Sequence, residues 1–488
     1  MSIKQQWRRL TILFCAIALG GTGAMAAASP AIAAPDRPII IGQVSGHGGK
    51  IVVSRSASTV SFPVRARADG EALLSLTVRA PGADWAVAGR ESAVVAFLVD
   101  GRLVTDLVVP SADATQRQIG LGPITRGRHR VTIRFDRAAT PSGVNRAVLS
   151  KLRLNVVNRR AAGFDVAAHA PIVIGRTLPA LGSPNQNATT DAPLIAWHET
   201  KPATTPGHVV VEYSVIWSNE DGGTDTPALM ARWGRTTDIE WIYRVELDER
   251  GDRVPGSDVY QAANHATLQF TGSYVGNHPM LQTCTENNNM CDQVTADAKL
   301  RFLLGTDQTR PAERAREVLM DRNMWTYPVM AAEQVREGKI EATPDPATPA
   351  VGDQRTYLWI EVDKDTGTAT GTGSAPGLSL GVRLKGDPVL YRSDHNHPDW
   401  SIARDDPAAT TVELPAGAGA ADIAEIVALR QPTGVGDNGA PVNVTSINRA
   451  FFLGQNYLPG ASFLAKRLAV TVTTDSPTAT IFSAAAPG

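Results

Sequence analysis

The stretch HVVVEYSVIWSNEDGGTDTPALMARWGRTTDIEWIYRVEL, residues 208–247, decides the fold. Both of its ends alternate apolar and polar residues. Val209, Val211, Tyr213, Val215 and Trp217 share one side of the first run, and Ile239, Trp241, Tyr243 and Val245 one side of the second. A strand sends successive side chains to opposite faces, so each run reads as a half-buried strand. The NEDGG segment (219–223) reads as a turn, because Asp and Gly tolerate the backbone angles a tight reversal needs.

The same period-two pattern recurs on either side. KIVVSRS, TVSFPVRARA, ALLSLTVRA, VVAFLVD, VTDLVV, HRVTIRFD and LSKLRLNVV follow one another between residues 50 and 157, separated by Gly, Pro or Asp. Short strands at that spacing predict an N-terminal β-sandwich over 38–160. GRHRVTIRF near its end is similar to the closing strand of jelly-roll carbohydrate-binding modules. A linker at 159–163 (RRAAG) leads to a larger β-rich unit over 165–488, with HATLQFTG, KLRFLLG, TYLWIEVD, LSLGVRL and LAVTVTT as further strands. One helical insertion is expected at 311–338, with Pro311 in its first turn and Pro328 breaking it in two. The fold class is therefore mainly β: a jelly-roll-like sandwich followed by a larger sandwich-type domain.

Residues 1–34 have the parts of a secretory signal. Lys4, Arg8 and Arg9 precede an apolar run at 10–19, and Ala31-Ile32-Ala33 forms an A-x-A cleavage pattern, placing the cut near Ala33-Ala34. The expected location is secreted or periplasmic. The apolar run is shorter than the roughly 20 residues a membrane helix needs, so no membrane insertion is expected. Beyond the signal only Cys284 and Cys291 remain, and in an oxidising compartment such a pair reads as a disulfide. The formal net charge of −1 offers no basic tail or stripe for nucleic acid. Extracellular polysaccharide or another glycan is the expected partner.

Three clusters carry chemistry. Asp238 and Glu240 lie two apart on a strand, their Cα atoms about 6.6 Å apart, a spacing that accommodates the carboxyl separations of about 5–9.5 Å used by glycosidases. They are the candidate acid/base pair, with His265 and His278 assisting, and Trp217, Trp233, Arg235 and Asp221 as substrate-binding candidates. The plain alternative is a solvated sheet face on which Arg235 and Arg244 pair with the acids. In the second cluster, His395 and His397 with Asp394 have the His-x-His spacing that a strand uses to present two ligands to zinc or a similar divalent metal, although HNHPDW also fits an exposed turn. In the third, Asp221 with Asp225 could hold calcium, but the spacing completes no loop signature and a turn reads better. The leading reading requires no cofactor; a divalent metal, calcium or zinc, belongs to the other two clusters. The leading reading is a polysaccharide-cleaving glycoside hydrolase. The alternatives are a non-catalytic exported glycan- or partner-binding protein, and a metal-dependent hydrolase centred on His395 and His397.

Five segments between 190 and 290 taken in order, APLIAWHET, YSVIWSNEDGG, TDIEWIYRV, ANHATLQF and GNHPMLQTC, resemble the vacuolar protein sorting sixty-two-like domain family. The resemblance implies a β-rich polar site at His198, Glu199, Asp238, Glu240, His265 and His278. This chain has Arg-Thr-Thr-Asp-Ile-Glu where the family shows His-x-Gly-Asp-Trp-Glu, and Cys-Thr-Glu-Asn where it ends in Ser-His-Ala. Two of the family's histidines are therefore absent.

Overall fold

A computed structural model describes residues 39–40, 49–175, 191–220, 225–295 and 300–484. The expected signal at 1–34 and Asp221 lie outside the described residues. The chain is mainly β, as its alternation predicts, and its described residues form six sheets. In the first sandwich the front sheet has the strands Thr59–Ala66, Gly127–Phe135, Ala93–Val99 and Arg102–Val109 in that spatial order. In the back sheet, Arg146–Val157, Gly70–Arg79 and Thr115–Ile124 run side by side, with Ile39–Ile40 and Lys50–Ser54 on the outer edge. The inward rows, such as Leu74, Leu76 and Val78 against Val131, Ile133 and Phe135, fill one core.

A five-stranded antiparallel sheet follows: Pro193–Pro202, Val209–Trp217, Ile239–Leu247, Val259–Ala262 and Ala266–Gln269. A smaller mixed sheet carries Ile172–Ile174 parallel to His278–Thr283. The disulfide Cys284–Cys291, with Cα atoms 5.9 Å apart, closes the loop beside it. Strands from Tyr357–Thr366 to Thr478–Ser483 then build two four-stranded sheets around a core of their own.

Helices depart from expectation in three places, the first a short helix at Phe164–Ala168 just after the expected linker. Thr226–Trp233 is a helix between the two strands of the 208–247 stretch. Asp225 precedes it, Pro227 sits in its first turn, and Gly234 ends it at φ 60 in the left-handed region glycine prefers. The insertion at 311–338 is helical only at Val318–Arg322 and Thr326–Arg336, and the break falls at 323–325. Pro328 does not break it. It occupies the first turn of the second helix, where its missing N–H has no intrahelical acceptor to lose.

The second helix joins the blocks. Its buried Glu333 accepts a hydrogen bond from Trp85 Nε1 of the first sandwich, and the Arg336 guanidinium lies 5.0 Å over the Trp85 ring. On its other side Tyr327 packs edge-on against Trp359, 5.7 Å away, and Trp359 stacks with Phe451 of the C-terminal sandwich. Trp85, Val94 and Val108 thus share one core cluster with Tyr327, Trp359 and Phe451.

Residues 301–305 clip onto the first sandwich at two edges. Arg301 N–H donates to Asp106 Oδ2 (3.0 Å) and Leu303 N–H to Thr105 Oγ1 (2.9 Å). On the other sheet, Gly120 N–H donates to Leu303 O (2.8 Å) and Gly305 N–H to Gln118 O (3.0 Å). A Cβ on Gly305 would lie 2.7 Å from that same oxygen, which explains the glycine.

Burial pushes the Asp106 carboxyl up to about 6 from 3.8. The folded state therefore binds the extra proton between those values, and stability falls as pH rises through that window. Asp106→Asn keeps an acceptor for Arg301 N–H and removes the ionisation. The expected result is a variant more stable than wild type at pH 8, by on the order of 2–3 kcal/mol, with the gain vanishing near pH 4. Urea melts at the two pH values check this, and a pH-independent difference would contradict it.

Candidate functional site

A cleft of about 950 Å³ opens where the first sandwich, the middle sheets and the insertion meet. Its floor is the outer face of the back sheet. Leu74 and Leu76 point into the sandwich, so Ser75 and Thr77 point out. Arg153, Ser75 and Gln118 stand opposite one another across three strands, and Gln116 stands opposite Thr77. The register slips between Ser75 and Thr77, and Lys151 there takes φ 52. A bulge of this kind re-aims a side chain, and Lys151 lines the cleft.

The opposite wall is the insertion, with Asn323, Met324 and Trp325 ahead of the second helix. Trp325 is half-buried, and the Arg117 guanidinium lies 4.5 Å from its ring centroid. Arg117 is itself buried. Its Nη2 donates to Leu194 O (2.7 Å), while Nη1 has no hydrogen-bond partner among the described residues. Trp325 Nε1 and Gln118 Oε1 likewise have none. Burial pushes the Arg117 guanidinium down to about 10, so it stays charged at neutral pH. Buried polar atoms are costly to leave unpaired. All three are covered by protein, so a polar ligand in the cleft could pair them only after local movement.

Sequence reasoning missed these residues, because Ser, Thr and Gln on an outward strand row look like ordinary solvated surface. One signal was present: Gln116-Arg117-Gln118 interrupts the alternation with three long polar residues in succession.

The structure brings only some of the sequence candidates together. Glu240 is half-buried, and His265 Nδ1 lies 3.6 Å from its Oε1. Burial raises the Glu240 carboxyl above its ordinary value, against the lowering effects of a Gln261 hydrogen bond and of Arg316 and Arg235. His265 is exposed at φ 57, and its Nε2 lies 3.3 Å from Asn287 Nδ2 in the disulfide loop. Asp238, by contrast, is 1 % exposed. His278 is buried elsewhere, between Ala170 O (2.8 Å) and Glu71 of the first sandwich (3.2 Å).

Arg235 bonds to Glu317 (2.9 Å) and Arg244 to Glu212, so neither arginine takes the partner the plain alternative assigned it. Trp217 lies in the main core. Trp233 is covered by Arg404, 4.0 Å from its ring. Strand alternation alone misplaces Ile242: Tyr213 faces Tyr243 and Ser214 faces Trp241, which leaves Ile242 as the extra residue of a bulge. Ile242 consequently joins the core, and Trp241 packs beneath the Arg244 guanidinium at 3.7 Å.

Residues 394–397 form a turn and not a strand, with His395 at φ 45 and Asn396 at φ 64. Both Asp394 oxygens are held by Arg392 (2.9 and 2.8 Å), and His397 stacks on Trp400 at 4.3 Å. Among the described residues no group of three or more His, Cys, Asp or Glu side chains is placed to hold a metal ion. No described helix is long and apolar enough to cross a membrane.

No family model and no curated protein matches the chain, so the likeness at 190–290 stands on those residues alone. Solved structures similar to parts of it include a ruminal GH26 endo-β-1,4-mannanase (16 % identity, TM-score 0.16), over 20 % of this chain and 18 % of that one. This chain thus spans under a fifth of the mannanase's length. A carbohydrate-binding module from Cellvibrio mixtus lichenase 5A is similar over 25 % of this chain and 90 % of the module (12 %, TM-score 0.16). Tandem CBM51 modules of a family 98 glycoside hydrolase from Streptococcus pneumoniae are similar over 79 % and 83 % (11 %, TM-score 0.17). The likeness to carbohydrate-binding modules is distant, and at TM-scores this low it carries no functional argument.

The Arg235–Glu317 pair is almost fully buried on both sides. Glu317→Gln leaves the guanidinium buried without its countercharge, for an expected loss of about 3–5 kcal/mol in urea unfolding. A loss below about 1 kcal/mol, the range of exposed pairs, would show that water reaches the pair.

Proposed function

We propose that the protein is an exported glycan-binding protein whose ligand lies in the cleft between the back sheet and the insertion. One observation carries this reading: the polar row Arg153, Ser75 and Gln118 faces a wall bearing Trp325 across a cleft of about 950 Å³. Sugars offer hydroxyls for such a row and apolar ring faces for an indole, and a few fixed polar groups in a concave site set their orientation. The unpartnered Arg117 Nη1 and Gln118 Oε1 add donors and acceptors whose pairing a ligand would complete on modest local movement.

A second reading, cleavage of the glycan, is favoured by the raised Glu240 carboxyl beside His265. A general acid needs such a carboxyl. Asp238, the second carboxylate of that pair, is buried at 1 % exposure, which makes the binding reading the stronger of the two.

Isothermal titration of the exported chain against oligosaccharide pools tests both. Gln118→Ala and Trp325→Ala are each expected to weaken binding about tenfold, the scale of one lost buried contact of about 1.4 kcal/mol. Unchanged affinity in both variants would remove the cleft reading. Release of new reducing ends by wild type, abolished in Glu240→Gln, would establish the second reading in its place.

A further inference from the structure

The near-neutral total charge hides an uneven distribution. Residues 36–160 hold 19 Lys and Arg against 9 Asp and Glu, a formal +10, whereas residues 161–488 hold 25 against 39, a formal −14. Four of these arginines stand together on the outer face of the front sheet. In Gly127–Phe135 the residues Val131, Ile133 and Phe135 face the core, while Arg128, Arg130 and Arg134 are exposed. On the neighbouring strand Arg65 stands directly opposite Arg128, Pro63 opposite Arg130 and Thr59 opposite Arg134. The Ser61–Thr132 hydroxyl contact of 2.9 Å puts both rows on one face.

None of these arginine side chains makes an ion pair or hydrogen bond among the described residues. Nearby acids have other hydrogen-bond partners, and Asp106 interacts with Arg134 only electrostatically. Asp100 accepts from Arg130 N–H (2.8 Å) and contacts His129 Nδ1 (2.7 Å), and the buried Asp106 accepts from Arg301 N–H.

Like charges directly opposite in a sheet destabilise it. Charged side chains often protect an edge strand from pairing with another chain, but that does not explain this face. Only Arg65 is on the edge strand. Arg128, Arg130 and Arg134 belong to the second strand, which is paired on both sides.

We propose that this face docks a linear acidic polysaccharide, with Arg65, Arg128, Arg130 and Arg134 holding its carboxylate or sulfate groups. The guanidinium fork bonds such groups bidentately, which suits a set made of arginine and not lysine. Sites about 6.7 Å apart along the strand and about 4.8 Å apart across it suit a polymer with anions at each sugar. Nucleic acid fits less well. The aromatic residues of these strands, Phe62, Phe97 and Phe135, all point into the core, leaving no platform for stacked bases. This surface lies on the opposite side of the sandwich from the cleft and does not depend on it.

Biolayer interferometry of the full chain against polygalacturonate, dextran and oligo-dT tests the assignment. Polygalacturonate is expected to bind, with affinity falling steeply as salt is added. Arg128→Ser/Arg130→Ser is expected to lower that affinity about tenfold or more, with a thermal midpoint no lower than wild type and any dextran or cleft binding unchanged. Arg128→Lys/Arg130→Lys, which keeps the charge and loses the fork, should fall between the two. Equal binding by the serine variant and wild type would overturn the proposal. So would oligo-dT binding at least as tightly through the same arginines, which would make this a nucleic-acid surface. Salt-sensitive self-association lost in the serine variant, without polygalacturonate binding, would assign the face to the acidic part of a second copy and also overturn it.

Discussion

The contact on which the remainder of the architecture depends is the burial of the helix Thr326–Arg336 between two sandwiches. Glu333 at 0 % exposure is tied to Trp85 on one side, and Tyr327 is wedged against Trp359 and Phe451 on the other. Burial raises the Glu333 carboxyl far above its ordinary range, against the lowering effect of Arg336. The buried carboxyl is satisfied there by hydrogen bonds from Arg336 and the Trp85 indole. This helix fixes where Asn323, Met324 and Trp325, the residues just ahead of it, face the back sheet. The cleft is therefore a product of inter-block packing and is formed by no single sheet.

That origin explains what the sequence could and could not reveal. Strand alternation was legible almost throughout, since one-sided burial writes a period of two into residues such as 70–79 and 127–135. It failed where backbone geometry broke the period. The bulge at Ile242 is an example, and so is the helix Thr226–Trp233, whose Pro227 and Gly234 signals were present but lay inside a run rich in strand residues. The turn at 394–397 is a third case, because His-x-His reads the same in a strand and in a turn until φ is known.

The site was less legible than the fold. Glu240 and His265 meet as their nearness in sequence hinted, yet Asp238 is buried and His278 belongs to a different interface. The cleft draws Ser75, Gln118, Leu194, Gly305 and Trp325 from positions scattered over 250 residues of chain, and one sequence holds no record of which distant strands converge. Charge was misleading for another reason. Opposite excesses in the two parts of the chain cancel in the sum, so the arginine rows of the front sheet vanish in a net charge of −1.

Amide hydrogen exchange of the purified protein, with and without a pool of plant and microbial oligosaccharides, tests the central claim most directly. Binding in the cleft predicts added protection confined to residues 73–77, 116–118 and 323–328. Protection concentrated instead around 238–265, or none in any of these segments while the pool is demonstrably bound, would contradict it.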